Sequence, residues 1–178
     1  MNNRENGRNI STCTALVPPP QAMAPVHAAR SSERALNDAI LGADISHSYE
    51  EFLAIVDEFY SDGVEARSAA SPEPVIGKAH VKSALLRHLI PLHVMAEIGG
   101  LSVCVQEMPI AGDSRDDQHS QWSVELVGVT GRRVRTSWTV RRRWQQRRVV
   151  AEYHYDHHHE GEALSFSDLR IATPNGLE

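Results

Sequence analysis

Cysteine is scarce in this 178-residue chain, with only Cys13 and Cys104. Two thiols cannot build a disulfide framework or complete a structural zinc site by themselves, so a reducing, cytoplasmic setting is expected. No apolar run approaches the ~20 residues that a membrane helix requires, so no membrane partner is expected. The opening residues, "MNNRENGRNISTCTALVPPPQAMAP", hold no apolar h-region, so no secretory signal is expected. There is no Gly-rich phosphate loop, no G-x-S-x-G nucleophile motif and no H-x-E-x-x-H pattern. Positive charge is not in excess either. A net charge of −5 argues against a chain that binds nucleic acid or membrane as a whole.

What remains is an ordinary globular composition, 41% hydrophobic and 23% charged, at a length that fits one domain with flanking tails. Residues 1–30 are polar and proline-rich, with "VPPPQAMAP" inside, and read as a disordered arm because proline joins neither a helix interior nor a central strand. Residues 161–178 read as a second tail, which leaves residues 31–160 as the domain.

Helical periodicity comes first along that domain. In residues 31–41, Leu36, Ala39 and Ile40 share a face. In "SYEEFLAIVDEFY", Ser48 and Glu51 fit a capping box, and Phe52, Ile55, Val56, Phe59 and Tyr60 follow as one apolar stripe. Residues 77–91 predict a third helix with Val81, Ala84, Leu85 and Leu89 inward and Pro91 at its end. Between the last two, "VEARSA" reads as a short strand.

The period then changes to two. Strands are expected over residues 101–108, 119–129, 132–144 and 148–156. In the third of these, Val134, Thr136, Trp138, Val140, Arg142 and Trp144 take one face, and Arg133, Arg135, Ser137, Thr139, Arg141 and Arg143 take the other. Helices followed by consecutive strands predict an α+β fold with a mostly antiparallel, strongly curved sheet.

This layout resembles the SnoaL-like family of the nuclear-transport-factor-2-like superfamily. "FYSDGVEARS" is similar to that family's helix-to-strand step, "PVIGKAHVKSAL" to its Gly-led third helix, and "TGRRVRTSWTVRRRWQQRRVVAEYHYD" to its closing hairpin. The resemblance spans residues 31–157. It implies a cone-shaped, barrel-like fold whose helices sit in the curved sheet and enclose a pocket. Members use that pocket for isomerisation, aldol cyclisation, epoxide hydrolysis or dehydration, and others are binding or assembly modules, so fold does not fix function.

The implied site residues each have a plainer reading. Glu125 lies mid-strand where epoxide-hydrolase members carry a catalytic carboxylate; it is equally a solvated outer-face residue. His154 matches the position of an aspartate on those members' last strand, so the chain departs from the epoxide-hydrolase pattern there. A histidine can still move a proton at neutral pH. Period two puts Val150, Glu152, His154 and Asp156 on one face, so Glu152 or Asp156 is a candidate to orient the imidazole. Against this stands an ordinary histidine at a strand end. Tyr60 and His88 are candidates to polarise a substrate oxygen, or else core and rim residues. Glu65 and Arg67 are pocket residues by resemblance and a surface ion pair by the simpler reading. Trp122 and Trp138 line the pocket or pack the sheet.

Residues 151–160, "AEYHYDHHHE", hold four of the ten histidines. Consecutive residues on an extended chain point to opposite faces, so no metal site is expected and "HHHE" reads as a solvated exit from the last strand. Residues 132–148 hold eight of the eighteen basic residues and no acid. Trp138 and Trp144 fall on the face opposite Arg133, Arg135, Arg141 and Arg143, which weakens a nucleic-acid reading. The expectation is therefore a homodimeric domain without cofactor that binds a small, largely apolar molecule. It is either an acid/base isomerase, cyclase or dehydratase, or a non-catalytic ligand-binding or assembly module.

Overall fold

The structure, a computed structural model, describes residues 25–45, 48–97, 100–108 and 116–169. Helix α1, Pro25–Gly42, begins six residues before the predicted start at residue 31. Proline suits a first helical turn, where its missing N–H would have had no partner. Residues 25–30 are thus helical rather than part of the arm, and residues 1–24 lie outside the described residues.

Helix α2 runs Glu50–Phe59, and the predicted capping box does not form. The Glu50 N–H donates to Ser48 Oγ at 3.0 Å, and Glu51 turns back to accept from the Asp44 N–H at 3.1 Å. Tyr60 leaves the helix and opens strand β1, Tyr60–Ser68; strand β2, Ser71–Ile76, was not foreseen. Helix α3, Lys78–Glu97, continues through Pro91 instead of ending there. Proline removes one i→i−4 bond at a cost of ~3 kcal/mol. Leu89 and Met95, buried on either side of it, supply the tertiary packing that carries the helix on.

Strands β3, Leu101–Met108, β4, Asp117–Val127, β5, Arg133–Gln145, and β6, Arg148–Gly161, follow. Positive φ at Gln146 and Arg147 makes the tight β5–β6 turn. The strand order is β2-β1-β6-β5-β4-β3, with β1 parallel to β6 and every other pair antiparallel. The sheet is therefore mixed and open. Helix α3 touches β1 and β2 at one edge and β3 at the other, so it bridges the concave side. Helix α1 lies against β3 and β4 beside it.

The alternation foreseen in β5 holds except in mid-strand, where Ser137 is half-buried and Thr139 buried on the outer face. Val140, Arg142 and Trp144 are buried on the concave side, while Arg133, Arg135, Arg141 and Arg143 are exposed. The main core joins Ala29, Leu36, Val56, Tyr60, Val64, Val81, Trp144 and Val149.

Two further corrections concern the chain after Tyr155. Strand β6 does not end at residue 156: His158, His159, Glu160 and Gly161 still pair with β5. The predicted tail starts with docked structure, a short 3-10 turn at Phe166–Leu169. Asp168 is buried there and accepts hydrogen bonds from Thr130 and Ser165, while the Val129 N–H donates to its carbonyl at 2.8 Å. The Thr130 hydroxyl foremost, then Ser165, holds the Asp168 carboxyl down at about 2. Residues 170–178 lie outside the described residues. Among the described residues, no helix is long and apolar enough to cross a membrane.

Candidate active site

The concave face carries a buried polar network between α1 and the sheet. Arg142 is its centre, 3% exposed. Its Nη1 donates to Glu33 Oε1 of α1 at 2.7 Å, and its Nε donates to Glu152 Oε2 of β6 at 2.6 Å. Glu33 also accepts from Ser120 Oγ at 2.7 Å and from the Trp144 indole at 2.9 Å. Asn37 closes the ring, accepting from Arg142 at 3.3 Å and donating to Ser120 at 3.1 Å. A guanidinium is the side chain suited to this place, because its planar fork serves two carboxylates at once.

Glu152 links that network to His154. Tyr60 Oη donates to Glu152 Oε2 at 2.6 Å, and His154 Nε2 lies 2.8 Å from Oε1. Burial alone would raise the Glu152 carboxyl, but the Arg142 charge, with His154 and Tyr60, overcomes it and holds the group well below the usual carboxylate range. Burial, then the Glu152 charge, pushes the Tyr60 hydroxyl up, so it stays a donor. An ionised Glu152 only accepts. The proton in the His154–Glu152 bond therefore sits on Nε2, and neutral His154 presents Nδ1 as its basic atom. The imidazole is 33% exposed, so solvent or a ligand reaches it.

The sign of the Glu152 shift sets a pH dependence. A carboxyl depressed in the folded state stabilises above its unfolded pKa of ~4.3, and that stability is lost as pH falls through the folded value. Thermal denaturation from pH ~6 to ~2 is expected to show the melting temperature falling steeply below pH ~4, with a shallower acid limb in Glu152→Gln. Equal limbs would contradict an ionised Glu152.

The remaining expected site residues are dispersed. Glu125 is on the convex face, where Arg133 donates to it at 3.1 Å, so the sheet separates it from His154. Asp156 does not orient His154. It sits at a bulge with φ of 52°, and Glu152 makes the contact instead. Tyr60 is buried under Glu152 rather than at the rim. Half-buried Glu65 and exposed Arg67 pair with each other. His88 is exposed on α3. Trp122 and Trp138 face each other across β4 and β5, Trp122 buried beneath Arg142 and Trp138 half-buried. Among the described residues, neither indole N–H has an acceptor.

Two surface depressions stand out, one at the start of α3 and one beside the β5–β6 turn, and His154 borders neither. Helix α1 packs buried Glu33, Leu36 and Asn37 against the sheet beside Arg142. The accessible part of the concave face lies farther along β5 and β6, at Thr136, Trp138 and His154. Among the described residues, no group of three His, Cys, Asp or Glu side chains is placed to hold a metal.

Glu33 and Arg142 are not among the residues expected for the site. The signal was present: Glu33 shares the helical face of Leu36 and Ile40, and Arg142 falls in the apolar register of β5.

No family model matches the chain, and no curated protein matches it. Solved structures similar to it are nevertheless numerous. A SnoaL-like candidate polyketide cyclase of Mesorhizobium loti is 13% identical over 75% of this chain and 99% of its own, with a TM-score of 0.47. A candidate isomerase of Bacillus subtilis is 15% identical over 75% and 88%, with a TM-score of 0.49. A Mycobacterium tuberculosis protein in complex with estradiol-17β-hemisuccinate is 17% identical over 74% and 93%, with a TM-score of 0.43. Likeness at this level carries over neither a substrate nor a reaction.

Proposed function

We propose that this chain is a SnoaL-like domain that holds a small, largely apolar organic molecule against its concave sheet. There it performs acid/base chemistry without a cofactor: isomerisation, cyclisation or dehydration. One observation carries the reading. His154 is part-exposed, yet its Nε2 is fixed by a carboxylate that is itself buried and fixed by Tyr60 and Arg142. That is a base with an orienter, and its basic nitrogen is turned away from the orienter. His154 moves the proton, Glu152 orients it, and Arg142 holds Glu152. Glu125, on the other face, stands outside this machinery.

A second reading follows from Glu33 and α1. The same network ties α1 to the sheet, which suits a non-catalytic binding or assembly module. In either reading a homodimer would meet through the convex face, where Tyr153 and Tyr155 stack at 5.5 Å beside the exposed arginines.

A thermal-shift screen of polyketide-like, steroid and terpenoid molecules tests the proposal. A ligand at a hundred times its dissociation constant adds ~2.7 kcal/mol, several degrees for a domain of this size. At least one class is expected to raise the melting temperature and to perturb the His154 ring resonances. Stabilising ligands that leave His154 unperturbed would contradict the site.

A further inference from the structure

We propose that β6 carries a row of imidazoles, His154, His157 and His159, in which His157 and His159 take the carboxylate of an otherwise apolar ligand and leave His154 free as the base. The inference rests on the proposed function's reading of the concave face as ligand-facing, and it names the chemical class that face selects.

Simple alternation would put His157 on the convex side with Tyr153 and Tyr155. A bulge prevents this. Tyr155 pairs with Thr139 and His158 with Ser137, so Asp156 and His157 both oppose Trp138. Asp156 absorbs the extra residue with a φ of 52°, a left-handed conformation that aspartate tolerates better than most side chains. His157 therefore returns to the concave side, its ring nearly parallel to that of Trp138, 14° between planes and 6.5 Å between centroids. His159 lies across from Thr136, with Nδ1 3.0 Å from its hydroxyl, and His154 lies across from Val140. Val140, Trp138 and Thr136 are successive concave positions of β5, so three imidazoles face three successive rows. Rows on one face are ~7 Å apart. A carboxylate accepting one ~2.8 Å bond at each oxygen spans about that distance.

The surroundings favour an acceptor. The indole N–H groups of Trp122 and Trp138 have no acceptor among the described residues, and a buried donor normally has one. Arg142, the cation on this face, is taken up by Glu33 and Glu152. The acids near the row are Glu152, which holds His154, and Asp156, exposed at the bulge. From β5 come Thr136, Trp138 and Val140, without charge, and from β1 comes Ser68 opposite His154. From α2, Asp57 sits by the far end of β6, its carboxylate paired with Lys82 and its carbonyl with Arg148. Burial, then His154 and His159, pushes His157 down, as expected where imidazoles gather without enough counter-charge. An anion supplies that charge. Because it binds His157 and His159 as protonated donors, affinity rises as pH falls.

The test titrates the full chain with benzoate and with benzamide, its neutral counterpart, at about pH 5.5 and about pH 8, followed by calorimetry and by imidazole resonances. Benzoate is ionised at both. It is expected to bind at least ~10-fold tighter at the lower pH, with benzamide showing no such change. His157→Ala and His159→Ala should each reduce the pH dependence. Asp156→Gly should keep it, because glycine accepts the bulge conformation, and Asp156→Val should weaken it. Benzoate binding without pH dependence, equal behaviour of benzamide, or indifference to both histidine substitutions overturns the row. If neutral molecules of the screen bind at His154 and benzoate does not, the row falls and the proposed function stands. If nothing binds at His154, both fall.

Discussion

Arg142→Ala is expected to destabilise the fold by about 3–5 kcal/mol, the cost of removing one partner from a buried ion pair. Two buried carboxylates, Glu33 and Glu152, would then face each other's charge without a cation. Domains are stable by only ~5–15 kcal/mol, so the variant should unfold at much lower urea or be insoluble. Arg142→Lys keeps a charge but loses the fork, and should fall between wild type and Arg142→Ala. Arg133→Ala is the control: Arg133 is exposed and its partner Glu125 only half-buried, so its loss should cost no more than ~1 kcal/mol. A loss under ~1 kcal/mol in Arg142→Ala would show that the network is not what holds α1 to the sheet.

His154→Ala is expected to lower the rate for a turned-over substrate by ~10²–10⁴, the usual contribution of a positioned acid or base. Stability should change little, because the ring is 33% exposed and nothing buried depends on it except Glu152, which keeps Arg142 and Tyr60. A loss of activity with an unchanged melting temperature separates the catalytic role from a structural one. Glu152→Gln should lose activity as well, and unlike His154→Ala it should lose stability. Turnover that survives His154→Ala would remove His154 from the mechanism.

The order and type of most elements could be read from periodicity, and the faces of β5 in particular. Its alternation is clear from Val140 to Gln145 and is blurred from Thr136 to Thr139, where both sides are at least half-buried. Ends and irregularities could not be read so. Pro91 sits inside α3 because burial of Leu89 and Met95 outweighs a local preference, and a local rule does not see tertiary packing. The bulge at Asp156 shifts the side chains beyond it by one position, which reverses the faces that period two assigns to His157, His158 and His159. For the site, His154 and Glu152 were legible as neighbours on one face. That Glu152 rather than Asp156 orients the imidazole depends on Arg142 and Tyr60 holding it, contacts made across 10 and 92 residues of chain.

The central claim is that a buried, ionised Glu152 fixes the His154 imidazole with Nδ1 free. Long-range proton–nitrogen correlation of the histidine rings measures this directly. Neutral His154 is expected as the Nε2–H tautomer, with Nδ1 unprotonated, and Glu152→Gln should weaken that preference. A neutral His154 protonated at Nδ1, or one whose tautomer ignores Glu152→Gln, would contradict the account.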